Sequence, residues 1–289
     1  MPEIKTLAGN LTFTECPRWR GGRWWFSDFY THAIYSMKFD GSDLQKEVDV
    51  PSKPSGLGWL PDGRLIFVSM KDRKVMVRAT DGTVSVHADV SAYVAGNPND
   101  MVVGSDGVAY LGNFGFDLEG GEPFSTTNLL RIAPDGTVTV AAEGLHFPNG
   151  SVITPDGTLL VDETLGNRVS AFDITPTGLG PRRDWAVFGQ PPKTMHDDVF
   201  APDGCGLDAE GALWIADARR GRVCRVKEGG EILETIEPGT GVFACMLGGE
   251  DGRDLIMCCA PDFIEHKRIA AKEAELRVVR VTVPHSGLP

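Results

Sequence analysis

Glu15, Asn99, Asp100, Asn149 and Asp203 share a place in the sequence: each stands seven or eight residues ahead of a glycine in a turn. Brought to one spot, three carboxylates and two amides form an oxygen-only donor set, which suits hard cations such as Ca²⁺, Mg²⁺ or Mn²⁺. Acids packed together without a counter-charge raise one another's pKa and cost stability, so a bound cation would relieve them. No histidine falls at these places, and Cys245 is the one cysteine, a pattern that argues against a structural zinc site. Short polar residues also cap strands and form Asx-turns, and a polar channel filled with water would look the same.

The elements that must carry these residues repeat. "RGGRWWFSD", "PDGRLIFVS", "SDGVAYLGN", "PDGTLLVDE", "AEGALWIAD" and "EDGRDLIMC" each set a turn glycine before a short β-rich run. The glycines are 22, 63, 107, 157, 211 and 252, at spacings of 41, 44, 50, 54 and 41 residues. That period signals a blade or solenoid repeat. A strand precedes each glycine and two more follow the β-rich run, which gives four strands in each of six units. Four-stranded antiparallel sheets repeated radially form a β-propeller. The chain is therefore expected to be all-β, one six-bladed propeller domain over residues 1–289. The sixth unit lacks a fourth strand, and "EIKTLAG" near the N-terminus is a spare one. It is expected to complete the last blade and close the ring, removing exposed edges. A β-sandwich is the alternative. In a propeller the first strand of each blade lines the channel. Equivalent heads would be Glu15, Ser55-Gly56, Asn99-Asp100, Asn149-Gly150, Asp203-Gly204 and Ala244-Cys245.

Composition narrows the partners. Hydrophobic residues make up 42% and charged residues 24%, with a net charge of −12 and no basic stretch to track phosphates, so nucleic acid is not an expected partner. No apolar run has the length of a membrane span, and no signal peptide is evident. Six cysteines without framework spacing read as reduced thiols, hence a cytoplasmic location. Cys16 and Cys205 read as small apolar filling beside the donor set. Neither a GxGxxG nor a Walker-type loop supports nucleotide binding. "MHDDVF" would bring His196 over the channel mouth, or is a solvated loop. Segments 114–127 and 186–202 are candidate lids, and residues 261–277 read as a short helix or loop in blade six.

"ECPRW", "RWWFSD", "NPND", "FPNG" and "PDG", in that order on blades one, three, four and five, resemble the SMP-30/gluconolactonase/LRE-like family of regucalcin-like lactonases. The resemblance runs from Glu15 to the last blade. It implies a six-bladed propeller with one divalent metal (Ca²⁺, Zn²⁺, Mn²⁺, Mg²⁺ or Fe²⁺), held by Glu15, Asn149 and Asp203. Asp203 is then also the general base, Asn99 holds water or substrate, and Asp100 stands at the pocket rim. The implied reaction is lactone hydrolysis, in which the metal polarises the carbonyl and activates water. This sequence departs from the sugar-lactonase pattern at Asn97, where an arginine is usual. Asn113 and Phe114 would face the pocket, as would His146 beside Phe147. The mouth is thus expected to be more aromatic, which favours a more apolar lactone or ester as the small-molecule substrate. An organophosphate or aryl-ester hydrolase, an isomerase using the same metal site, and a non-catalytic interaction platform are the alternatives.

Overall fold

The computed structural model describes residues 3–194 and 197–287. Its strands form six small antiparallel sheets arranged as a six-bladed β-propeller. The innermost strands, in chain order, are Thr14–Arg20, Pro54–Trp59, Pro98–Val103, Pro148–Ile153, Pro202–Leu207 and Val242–Gly248. In blade six the outermost strand is Lys5–Leu11, which pairs antiparallel with Ala274–Arg280 from Lys5↔Val278 to Leu11↔Ala274. The spare N-terminal strand therefore closes the ring as its sequence implied.

All six hairpin glycines are left-handed, with φ between 72° at Gly252 and 88° at Gly63. A side chain is disfavoured there, which is why glycine marks every unit. The core lies between blades rather than on the axis. Val152, Leu160 and Val169 of blade four pack against Leu207, Leu213 and Ile215 of blade five, for example. Each such side chain contributes roughly 1.5–3 kcal/mol by burial.

The one α-helix among the described residues, Glu265–Ala271, is shorter than the charged run 261–277. Lys272 adopts φ 50° and its N–H bonds to Arg268 O, ending the helix. The following residues are drawn into the sheet as Ala274–Arg280, paired with Asp254–Cys259. No helix among the described residues is long and apolar enough to cross a membrane.

Candidate functional site

Every inner strand slips register just after it begins: between Glu15 and Arg18, Pro54 and Leu57, Pro98 and Met101, Pro148 and Ser151, Pro202 and Cys205, and Val242 and Ala244. Bulges re-aim side chains, and proline suits the first position of a strand because it removes a ladder donor. By register, the six heads are Glu15, Ser55, Asn99, Asn149, Asp203 and Phe243, one per blade. In blade six the head is thus Phe243 instead of Ala244-Cys245. In blades two, four and five the next position is glycine, because neighbouring inner strands almost touch there. A Cβ on Gly150 would lie 2.3 Å from Asp203 O, and one on Gly204 2.5 Å from the Ala244 Cβ.

Hydrogen bonds run round this ring. Ser55 Oγ donates to Asn99 Oδ1 at 3.0 Å, and Asn99 Nδ2 donates to Asn149 Oδ1 at 3.0 Å. Asn149 Nδ2 donates to Thr164 Oγ1 at 3.0 Å, whose hydroxyl donates to Pro202 O at 2.7 Å. The Asn149 amide lies beside the Asp203 carboxylate and works against the rise in its pKa. The two acids, Glu15 and Asp203, flank Phe243 in ring order and are 8% and 7% exposed. Glu15 receives only the Cys16 N–H at 3.3 Å, and among the described residues no lysine, arginine or histidine forms an ion pair with either acid. Burial pushes both carboxyls well above their usual range. Asp203 and Asp100 add to the rise at Glu15, and Asp100 and Asp162 at Asp203.

Among the described residues no three His, Cys, Asp or Glu side chains come together as a cation site. A cation at this ring would instead take the two carboxylates together with an amide oxygen, and Asn149 Oδ1 is the one turned toward Asn99. Two buried acids without a basic partner, plus a fixed amide, fit a hard divalent ion.

The remaining predicted residues fall in different places. Asp100 is not at the rim. It lies one tier farther along the channel, in an ion pair with Arg18 Nη2 at 2.9 Å, and accepts Met101 N–H at 2.7 Å. Asn113 does not line the pocket. It is fully buried, donates to Asn128 O at 2.7 Å, and accepts from Gly115 N at 3.0 Å and Thr127 Oγ1 at 2.7 Å, so its amide is spent on its own blade. Phe114 packs against Phe147 with centroids 4.6 Å apart, and Phe13 against Phe243 at 4.8 Å. These rings belong to one hydrophobic cluster that joins blades one, three, four and six. Asn97 is half-buried, and its carbonyl accepts Phe114 N–H at 3.0 Å. His146 Nδ1 lies 3.5 Å from Glu163, a carboxylate also bound by Arg168. His196 lies outside the described residues. Of the two candidate lids, segment 114–127 is tethered: Lys53, 5% exposed, bonds both Glu119 at 3.1 Å and Glu265 at 2.6 Å.

Sequence reasoning placed Ser55 among the strand heads without naming it as a site residue, and it missed Thr164 as the support of Asn149 and Arg18 as the counter-ion of Asp100. Asp162, fully buried with its carboxyl pushed well up by burial, was also missed.

Fold and ring together define the class of protein. Residues 13–260 match the SMP-30/Gluconolactonase/LRE-like region, and the chain belongs to that family. It aligns with the regucalcin of Homo sapiens at 30% identity over 294 residues, covering 97% of this chain and 89% of that protein. It spans about half the length of several other curated regucalcins that it matches. Among solved structures, a gluconolactonase of Xanthomonas campestris superposes with a TM-score of 0.77 at 22% identity, over 98% of this chain and 90% of that one. A calcium-binding regucalcin of Agrobacterium tumefaciens gives 0.81 at 20%, over 100% and 97%.

Proposed function

We propose that this chain is a divalent-metal-dependent lactonase that opens a small, preferentially apolar lactone. One observation carries the reading: two buried carboxylates, without a basic partner among the described residues, share one ring with oriented amides. Glu15, Asn149 and Asp203 would hold the ion, and a bound divalent cation supplies Lewis-acid polarisation and a lowered pKa for water.

The protein's own groups do the rest. Asp203 accepts the proton from the attacking water as general base. Thr164 holds Asn149, whose amide stands beside the Asp203 carboxylate. Asn99, bridging Ser55 and Asn149, offers a neutral amide to water or substrate. Glu15 and Asp203 together neutralise a doubly charged ion, so an uncharged ester meets little electrostatic barrier. Phe13, Phe114, Phe147 and Phe243 supply apolar walls, and with Asn97 in place of a basic side chain nothing there grips a sugar acid.

Calcium binding by the Agrobacterium tumefaciens regucalcin supports Ca²⁺ among the candidate ions. Six unpaired, buried cysteines support a reducing compartment, the cytoplasm. The aromatic walls also favour aryl esters as a second substrate class at the same ring.

The test is acid release in a pH-stat from γ- and δ-lactones, sugar-derived, aliphatic and aromatic. Each is run with chelator and then with Ca²⁺, Mn²⁺, Zn²⁺ or Fe²⁺ restored. Metal-dependent hydrolysis favouring the apolar lactones is expected. A folded, metal-binding protein that opens none of them would refute the lactonase reading.

A further inference from the structure

At the opposite end of the channel from the ring lies a second cavity of about 500 Å³. Its floor is apolar and comes from the far ends of the inner strands: Leu57, Val102, Met246 and Leu247, all almost fully buried. Trp19 and Trp59 form its walls. Its charged side chains are both basic, Arg18 and Arg20, with the imidazole of His285 beside them, and no Asp or Glu lines it. That stands out in a chain of net charge −12. The nearby hairpin acids are occupied elsewhere: Asp62 accepts from Arg64, and Asp106 from Val108 N–H.

The basic groups are also placed. Arg20 lies over the Trp59 ring, 4.7 Å from its centroid, and forms no ion pair among the described residues. Arg18 donates to Pro17 O, Asp100 and Met101 O from its two terminal nitrogens. That uses three of a guanidinium's five N–H groups and leaves Nε–H and one Nη1–H free. His285 is fixed by the docked C-terminal segment: its N–H bonds Gly252 O at 2.8 Å, while Pro284 O accepts Ala209 N–H at 2.8 Å.

We propose that this far-mouth cavity is a binding site, separate from the catalytic ring, for a small aromatic anion. The flat body would lie between the tryptophan walls over the apolar floor, and the carboxylate would meet Arg20, His285 and the free Arg18 N–H. The volume falls within the roughly 300–1,000 Å³ of small-molecule sites. An aromatic body and a single anionic group match what the walls and rim offer.

Titration of the purified full chain with 1-naphthoate, followed by calorimetry and by tryptophan fluorescence, tests this. Saturable binding below about 1 mM is expected, weakened about tenfold or more by Arg20→Met and for the neutral analogue 1-naphthylmethanol. Phe114→Ala, at the other mouth, should leave it unchanged. Arg20 is exposed, so its replacement leaves the fold intact, checked by the melting temperature. No saturation by naphthoate, equal binding in Arg20→Met, or loss of binding in both Phe114→Ala and the ring variant Asp203→Asn while each melts cooperatively as a folded protein would overturn the proposal. None of these readouts uses lactone turnover, so its failure leaves the catalytic reading untouched.

Discussion

Two sets of acids circle the same axis and are treated in opposite ways. At the heads of the inner strands, Glu15 and Asp203 are nearly bare. At the ends of the second strands, Asp28, Glu163 and Asp217 are saturated. Asp28 accepts the Thr12 and Phe13 N–H groups at 3.0 and 3.1 Å. Glu163 accepts His146 N–H at 2.8 Å and Arg168 Nε at 2.9 Å, and Asp217 accepts Ala201 N–H at 3.1 Å and Arg222 Nε at 3.0 Å. Each of these partners includes the segment that leads into the inner strand of the same blade. The saturated acids thus clamp the entry to the inner strands of blades one, four and five, and the bare acids of blades one and five are among what those clamps hold in place. A carboxylate with its hydrogen bonds filled builds structure, whereas one left bare and buried is available for chemistry.

The largest test of that contrast is Asp203→Asn. Activity should fall about a hundred- to ten-thousand-fold, while the chelator-treated protein melts no earlier than wild type because a buried repulsion is relieved. A clearly lower melting temperature would put Asp203 with the structural acids. Asp217→Ala should do the reverse. Leaving Arg222 and Ala201 N–H unpartnered should cost roughly 3–5 kcal/mol by denaturant titration, with turnover per folded molecule retained.

Acid should also separate the two sets. Burial alone would raise the Glu163 carboxyl, but hydrogen bonds from His146, Arg168 and Ser170 outweigh it and hold it at about 2, against 4.5 ordinarily. Its folded pKa is depressed, so its stabilisation is complete above about pH 4.5 and fades as pH falls toward 2. The loss amounts to roughly 3 kcal/mol. Glu163→Gln should flatten the stability profile in that window, and an unchanged acid limb would contradict the assignment. The smallest effect is expected at Thr164, which follows a clamp acid and supports a ring amide. Thr164→Val should cost about 1 kcal/mol of stability and weaken divalent-ion binding about tenfold, read by calorimetry.

Much of this was legible in the sequence because a propeller writes its geometry locally. A left-handed glycine recurs in each hairpin, and counting back from it finds Glu15, Asn99, Asn149 and Asp203. The count misses in blade six, where the hairpin differs by one residue and Phe243 takes the head. A one-residue change of register redirects every side chain along a strand. Asn113 shows a related limit: its place at a strand end was evident, but not which way the amide turned. Arg18–Asp100 was out of reach, since it joins residues 82 apart on blades one and three, across the channel. The helix, too, was set by the sheet, whose pairing claimed Ala274–Arg280 from a run with helical charge spacing.

The closing strand has a consequence in time. Lys5–Leu11 is synthesised well before its partner Ala274–Arg280. At about 5–20 residues per second, it waits tens of seconds for that partner. Five blades can form as the chain emerges, but the sixth cannot, and the ring stays open until Ala274–Arg280 has been made. Contacts so distant in sequence also slow folding. The nascent chain therefore carries Lys5–Leu11 as an unpaired strand until its partner emerges, and that interval is when another copy, or a chaperone, can reach it.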